Sequence, residues 1–304
     1  MSNHRVHLIN AIGNIVGESP VWCQKRQRLQ WVDICGKTIH AFTPTTGVFE
    51  KWDTPDLVTA IGLRVDGGAV VALRRTVALW EFGGPFIHLA TPEPDLLDNR
   101  LNEGAVGPDG AFWVGTMQNN IGPNNAPTEI SKHSGAFHRV QMDGQVESLT
   151  PAEFGICNTM IWPDDRTFIC ADTLENQLYR YRFGEDGLET KKSFATFARG
   201  LPDGSAQDFD GFIWNARVGG GCIVRFAPDG SVDRIVDVPC QLPTSCAFGG
   251  PDLKTLYVTS ARFGLPAAQE SHPREGALYA ITTDIPGLAP NLFGISRTRT
   301  GVQP

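Results

Sequence analysis

The chain has 304 residues, 41% of them hydrophobic and 19% charged, with 33 Gly and 21 Pro. That is enough for one large or two ordinary domains with a sizeable core and many turns. A formal net charge of -7 with no Lys/Arg run argues against a nucleic-acid surface, and no apolar stretch is long enough to lead us to expect a membrane span.

Amphipathic helical periodicity is almost absent. The first element is a strand, "RVHLINAI", which has no partner unit of its own. Short strand-like runs follow in order: "RLQWVDI", "GAVVAL", "AFWVGT", "TFICADT", "FIWNARV" and "TLYVTSA". Each follows a turn signal. The first turn is polar, around Gln24 to Arg28, and the later ones carry Asp66, Asp109, Asp164, Asp210 and Asp252. Most runs lead into a second strand and another turn, as in "GAFHRVQMDGQVESL" and "CIVRFAPDGSVDRIV". The unit is about four strands in 41 to 56 residues, repeated six times. That period predicts an all-β fold, a six-bladed β-propeller with four-stranded blades around a central channel, as one domain over residues 1–304. The early strand is expected to complete the last blade and close the ring. The third unit carries an insertion, "QNNIGPNNAPTEISKHSG", read as a surface loop over the active face, with Asn119 and His133 able to reach a substrate. Trp22, Trp31, Trp113, Trp162 and Trp214 lie at strand positions and are expected between the blades.

The turns set a register. Seven residues before Asp66, Asp109, Asp210 and Asp252 stand Thr59, Asn102, Asp203 and Ser245; six before Asp164 stands Asn158; the equivalent place in the first unit is Glu18. Each unit thus has a polar residue just before its first strand, and first strands line a propeller's channel. In "LPDGSAQDFDGFIW", Asp210-Gly211 reads as the hairpin turn and Asp203-Gly204 as the axial slot. Glu18, Asn158 and Asp203 bring two carboxylates and an amide oxygen together. An all-oxygen set suits Ca²⁺, Mg²⁺ or Mn²⁺, with Zn²⁺ less suited to an amide. Converging carboxylates also call for a compensating cation. The alternative is a ring of turn-capping residues with no ion. In "DNRLNEGAV", Arg100, Asn102 and Glu103 cluster at the third channel entrance and offer the mixture of donors and acceptors that a polyhydroxylated substrate needs.

Together, "GESPVW", "NRLNEGAVGPDGAFWVGTM", "ICNTMIWPDDRTFICADT", "GLPDGSAQDFDGFIWNARVGGGCIVRFAPDG" and "LPTSCAFGGPDLKTLYVTSAR" closely resemble the gluconolactonase/senescence-marker-protein (regucalcin) family over nearly the whole chain. The resemblance implies a six-bladed propeller with one divalent metal held by Glu18, Asn158 and Asp203, and substrate contacts at Arg100 and Asn102. It implies hydrolysis of a sugar lactone, with the metal as Lewis acid and Asp203 as general base. Two departures stand out. Asn102-Glu103 replaces the family's usual Asn-Asp, which lengthens a carboxylate arm, and Cys157-Asn158-Thr159 replaces Ser-Asn-Gly, which removes a glycine's backbone freedom. Two other readings are a phosphotriesterase-like metal hydrolase and a non-catalytic calcium-binding propeller. The seven Cys are odd in number with no CxxC, and the N-terminus lacks a secretory pattern. A cytoplasmic protein with free thiols is expected, as a monomer or weak homodimer whose partner is a small sugar lactone.

Overall fold

The computed structural model describes residues 5–184 and 187–294, so both ends of the expected domain lie outside the described residues. Strand β1 (Val6–Asn10) precedes the first blade. Blade one is β2–β5 (Gly17–Cys23, Arg28–Asp33, Thr38–Thr43, Val48–Asp53), and blade two is β6–β9 (Val58–Leu63, Ala69–Leu73, Val77–Trp80, Phe86–Ala90). Blade three is β10–β13 (Asn99–Val106, Phe112–Gln118, Phe137–Val140, Val146–Ser148). Blade four is β14–β18 (Cys157–Asp164, Thr167–Asp172, Gln177–Gly184, Gly187–Leu188, Lys192–Ala195). Blade five is β19–β22 (Leu201–Gln207, Ile213–Val218, Cys222–Phe226, Val232–Asp237), and blade six begins with β23–β25 (Leu242–Gly249, Thr255–Ala261, Leu278–Thr282).

All pairings within the blades are antiparallel. β1 pairs with β25 and supplies the fourth strand of blade six, as the sequence suggested. In blade four the outer strand is β18, while β17 is a two-residue nub on the end of β16. The innermost strands β2, β6, β10, β14, β19 and β23 touch one another in that order, and β23 returns to β2. The molecule is therefore a six-bladed β-propeller.

A radial gradient of burial explains the composition of the strands. β3, β6 and β7 are buried at every residue, because each sheet is covered on both faces by neighbouring blades. Strands sandwiched this way read as continuous apolar runs such as "AVVAL". The outer strands β5, β13 and β22 are mostly exposed and carry charges, as in "VFEKWD" and "VDRIVD". Charged outer edges discourage pairing with another chain. Trp22, Trp31, Trp113 and Trp214 fill the gaps between blades. Trp162 is only half-buried; it meets Trp113 edge-on at 5.3 Å and faces the channel.

Candidate metal and substrate site

Every inner strand changes register near its start, at Glu18/Val21, Val58/Ala60, Leu101/Gly104, Asn158/Met160, Pro202/Ser205 and Pro243/Ser245, and β14 shifts again between Ile161 and Asp164. These six β-bulges coincide with the six polar slots. The expectation that the slots precede the strands is therefore corrected. Glu18 is the second residue of β2, Asn102 the fourth of β10 and Asp203 the third of β19. A bulge leaves residues out of the ladder and re-aims the side chains beside it. Asp210-Gly211 does form the β19–β20 turn, with Gly211 at φ 84 and its N–H on the Asp208 carbonyl.

The structure brings Glu18, Glu103 and Asp203 into one electrostatic environment. The Glu18 carboxyl is pushed well up by burial, then by Asp203 and Glu103, against the Ser19 N–H and Arg100. Asp203 is likewise pushed well up by burial and Glu103, with the Gly204 N–H, Arg100 and Arg217 opposing. Burial pushes Glu103 up to about 7, against the N–H groups of Gly104 and Thr159. Burial thus disfavours charge on all three carboxylates even with Arg100 and Arg217 opposing, so a further cation would relieve them.

The Asn158 amide is held in one orientation. Its Nδ2 donates to Thr173 Oγ1 at 2.8 Å, and that hydroxyl donates to the Pro202 carbonyl at 2.7 Å. The orientation of the amide follows, because Thr173 Oγ1 has spent its proton. Asn158 Oδ1 accepts one bond from Asn102 Nδ2 at 3.0 Å, and a carbonyl oxygen has two lone pairs. Among the described residues no three His, Cys, Asp or Glu side chains form a ligand cluster on their own. The expected set of Glu18, Asp203 and the Asn158 amide is all oxygen, the kind of donor set that would suit a hard divalent ion.

Arg100 is almost fully buried beside this set. Its Nη1 donates to Asn102 Oδ1 at 2.8 Å and to the Leu101 carbonyl at 2.9 Å. Burial lowers the Arg100 guanidinium to about 10, while Cys35, Glu18 and Asp203 oppose the shift. Arg100, Asn102 and Asn158 thus form a continuous hydrogen-bonded row. Glu103 departs from that row. Its side chain lines a channel cavity of about 360 Å³ on the turn side of the bulges, with Ser19, Ser205 and Ser245.

The 118–135 insertion starts beside Asn99, at the same end as the site, because Gln118 pairs with that residue. Asn120, which the sequence reading missed, accepts from Arg100 Nε at 3.3 Å and Nη2 at 3.0 Å. Asn119 instead donates to Ile121, and His133 lies 3.6 Å from Glu175. The loop also reaches blade one, where Asn125 Nδ2 donates to the Cys35 carbonyl at 3.3 Å. No register exists inside an insertion, so nothing in the sequence singled out Asn120. All seven cysteines are unpaired and all but Cys23 are buried. Cys157 is a packed apolar group, with its thiol pushed well up by burial. Among the described residues no helix is long and apolar enough to cross a membrane.

Comparison with known proteins gives a consistent result. The family described as "SMP-30/Gluconolactonase/LRE-like region" matches residues 16–262. A 6-deoxy-6-sulfogluconolactonase of Pseudomonas putida is 33% identical over 287 residues, covering 92% of this chain and 95% of the relative. The pentonolactonase XacC of Haloferax volcanii is 32% identical over 253 residues, covering 81% of each chain. A crystal structure described as a calcium-binding protein, regucalcin, from Agrobacterium tumefaciens superposes with a TM-score of 0.87 at 27% identity, covering 96% of this chain and 98% of that one.

Proposed function

The chain belongs to the SMP-30/gluconolactonase/LRE-like family, and from that premise we propose that it is a lactonase, opening a sugar lactone to its aldonic acid with the help of one divalent metal ion. The observation that supports the reading is the buried pair of Glu18 and Asp203 carboxylates acting on one another, with the hydrogen-bonded Arg100–Asn102–Asn158 row alongside. Glu18, Asn158 and Asp203 would hold the ion. When bound, it supplies a Lewis acid for the lactone carbonyl and its developing negative charge.

The remaining steps belong to the chain's own side chains. Arg100 and Asn102 orient the ring hydroxyls, and the Asn120 amide keeps the Arg100 fork in place. Glu103 accepts from a hydroxyl or water on the channel side. The Asp203 carboxylate takes the proton from water as it adds to the lactone carbonyl, and returns it to the departing ring oxygen. The names of the two lactonase relatives support aldonolactones of five or six carbons as the substrate class. Seven unpaired cysteines are consistent with a reducing compartment, the cytoplasm.

Proton release on a panel of pentono- and hexonolactones tests the proposal. Metal-stripped protein is expected to be inactive. Ca²⁺, Mg²⁺, Mn²⁺ or Zn²⁺ should restore turnover, and Asp203→Asn should lower kcat by about a hundredfold or more. Turnover no faster than spontaneous hydrolysis with every metal sinks the lactonase reading. Ca²⁺ binding without turnover then favours a non-catalytic calcium-binding propeller, and turnover of phosphotriesters a phosphotriesterase-like hydrolase.

A further inference from the structure

We propose that Thr159 is a positioning residue. Its hydroxyl ties the bulge presenting Asn158 to the strand presenting Asp203, and so fixes the separation of these two donors. The inference rests on the metal-site reading above, but the tie is a property of the backbone.

Thr159 sits in the β14 bulge at φ 55 and is fully buried. A β-branched residue rarely adopts that left-handed conformation, and such a backbone persists only when its surroundings over-determine it. They do so here. Thr159 Oγ1 donates to the Asp203 carbonyl at 2.5 Å and lies 2.8 Å from Ser205 Oγ. Asn215 Nδ2 donates to Thr159 Oγ1 at 3.3 Å, to the Asp203 carbonyl at 3.0 Å and to Ser205 Oγ at 3.0 Å. Arg217 Nη1 donates to Asn215 Oδ1 at 3.2 Å, which fixes that amide in turn. The Thr159 backbone N–H favours the charged form of the Glu103 carboxyl. One residue therefore meets the strands carrying Asp203 and Glu103 while standing next to Asn158.

The same device recurs after Glu18. Ser19 also has a left-handed backbone, at φ 50, and its Oγ accepts from the Ile61 N–H of the neighbouring inner strand at 3.0 Å. The residue that follows a donor bends the chain and anchors it to the next strand. Glycine at position 159 supplies the bend without the anchor.

Thr159→Gly and Thr159→Ser separate bend from anchor. Three measurements apply to each variant: amide hydrogen exchange of the metal-free protein, Mn²⁺ affinity by calorimetry, and lactone kcat and KM at saturating metal. In Thr159→Gly, exchange at Asn158 and over 203–205 is expected to quicken at least about tenfold. Mn²⁺ affinity and kcat should each fall about tenfold, with KM within about threefold, because Arg100 and Asn102 stay in place. Thr159→Ser should lie within about threefold of the parent in all three. Parent-like exchange and affinity in Thr159→Gly overturn the proposal. So does a Thr159→Ser variant as impaired as Thr159→Gly, since the methyl rather than the hydroxyl would then matter. A parent protein that turns over no lactone defeats the functional reading alone, and metal-free exchange still decides the tie by the same two criteria.

Discussion

Gly204 stands where the inner strands of blades five and six meet, next to the proposed ligand Asp203. A Cβ at this position would lie 2.0 Å from Ser245 Oγ, 2.5 Å from its Cβ and 2.9 Å from its Cα. The first two atoms belong to a side chain but the third is backbone, so β19 and β23 have to separate. Gly204→Ala is expected to lower stability by about 1–3 kcal/mol and to cost activity by displacing Asp203. Adding Ser245→Gly removes the two nearest obstacles and should recover part of both losses. Urea denaturation and lactone turnover of the single and double variants check this, and additive losses would show that the contact is not the cause. Asn120→Ala should act differently, because the Asn120 side-chain amide holds the Arg100 fork. It is expected to raise KM about three- to tenfold with little change in kcat, and an unchanged KM would exclude Asn120 from substrate binding. The two residues differ in how they could be read from the sequence. Gly204 follows a slot residue that the turn register located, whereas Asn120 lies in an insertion where register is lost.

Strand β4 shows what a buried blade does to an ordinary titratable group. His40 stacks on Trp31 with ring centroids 5.1 Å apart, and its Nε2 lies 2.8 Å from Thr38 Oγ1. Burial lowers its imidazole to about 4, despite the opposing charge of Asp33. An unfolded histidine titrates near about 6.5. Between those pH values the unfolded chain holds a proton that the folded one does not, so stability rises with pH through the window and is level above it. The loss on acidification to pH 4 is about 3 kcal/mol from this group alone. His40→Gln should therefore have a shallower fall in stability from pH 7 to pH 4 than the parent, measured by urea denaturation at each pH. Identical slopes would show that His40 is protonated freely in the folded state. At this scale most of the fold was legible: six turn signals with their flanking strands gave the blades, and the stray first strand gave the closure of blade six. The bulges were not legible. They shift the pairing by a residue or two inside an apolar run, and hydrophobic alternation carries no trace of that when both faces of the sheet are buried. The slots were therefore placed just before the first strands. Register picked out Glu18, Asn158 and Asp203 as candidates, but could not show that Glu103 lines the channel cavity while its neighbour Asn102 joins Arg100.

A ring of blades must resist opening at the seam where its ends meet, and this chain bridges itself twice. β1 joins β25 within blade six. The segment 286–294 then runs across the turn side of the channel. The Phe209 N–H donates to the Pro286 carbonyl at 2.8 Å, and the Leu288 N–H to the Gln207 carbonyl at 3.2 Å, both in blade five. Asn291 Nδ2 reaches the Val106 carbonyl of blade three at 3.0 Å, and the Phe293 N–H reaches Leu63 of blade two at 2.8 Å. Leu288 and Asn291 also line the channel cavity, so the segment forms part of its wall. The anchor at the far end is Phe293, 1% exposed in the core shared by blades two and three, whereas Leu288 is 45% exposed on the way across. If the crossing holds the ring together, its two apolar residues should differ sharply in worth. Phe293→Ala is expected to cost about 3–5 kcal/mol and Leu288→Ala less than about 1 kcal/mol. Lactone turnover at 25 °C is expected to persist in both variants. Denaturation midpoints and m-values separate two consequences for Phe293→Ala. A lower midpoint at constant m means that the ring still opens as one unit, while a reduced m means that blades two and three separate from the rest before global unfolding. A Phe293→Ala protein as stable as the parent would mean that β1 alone closes the ring.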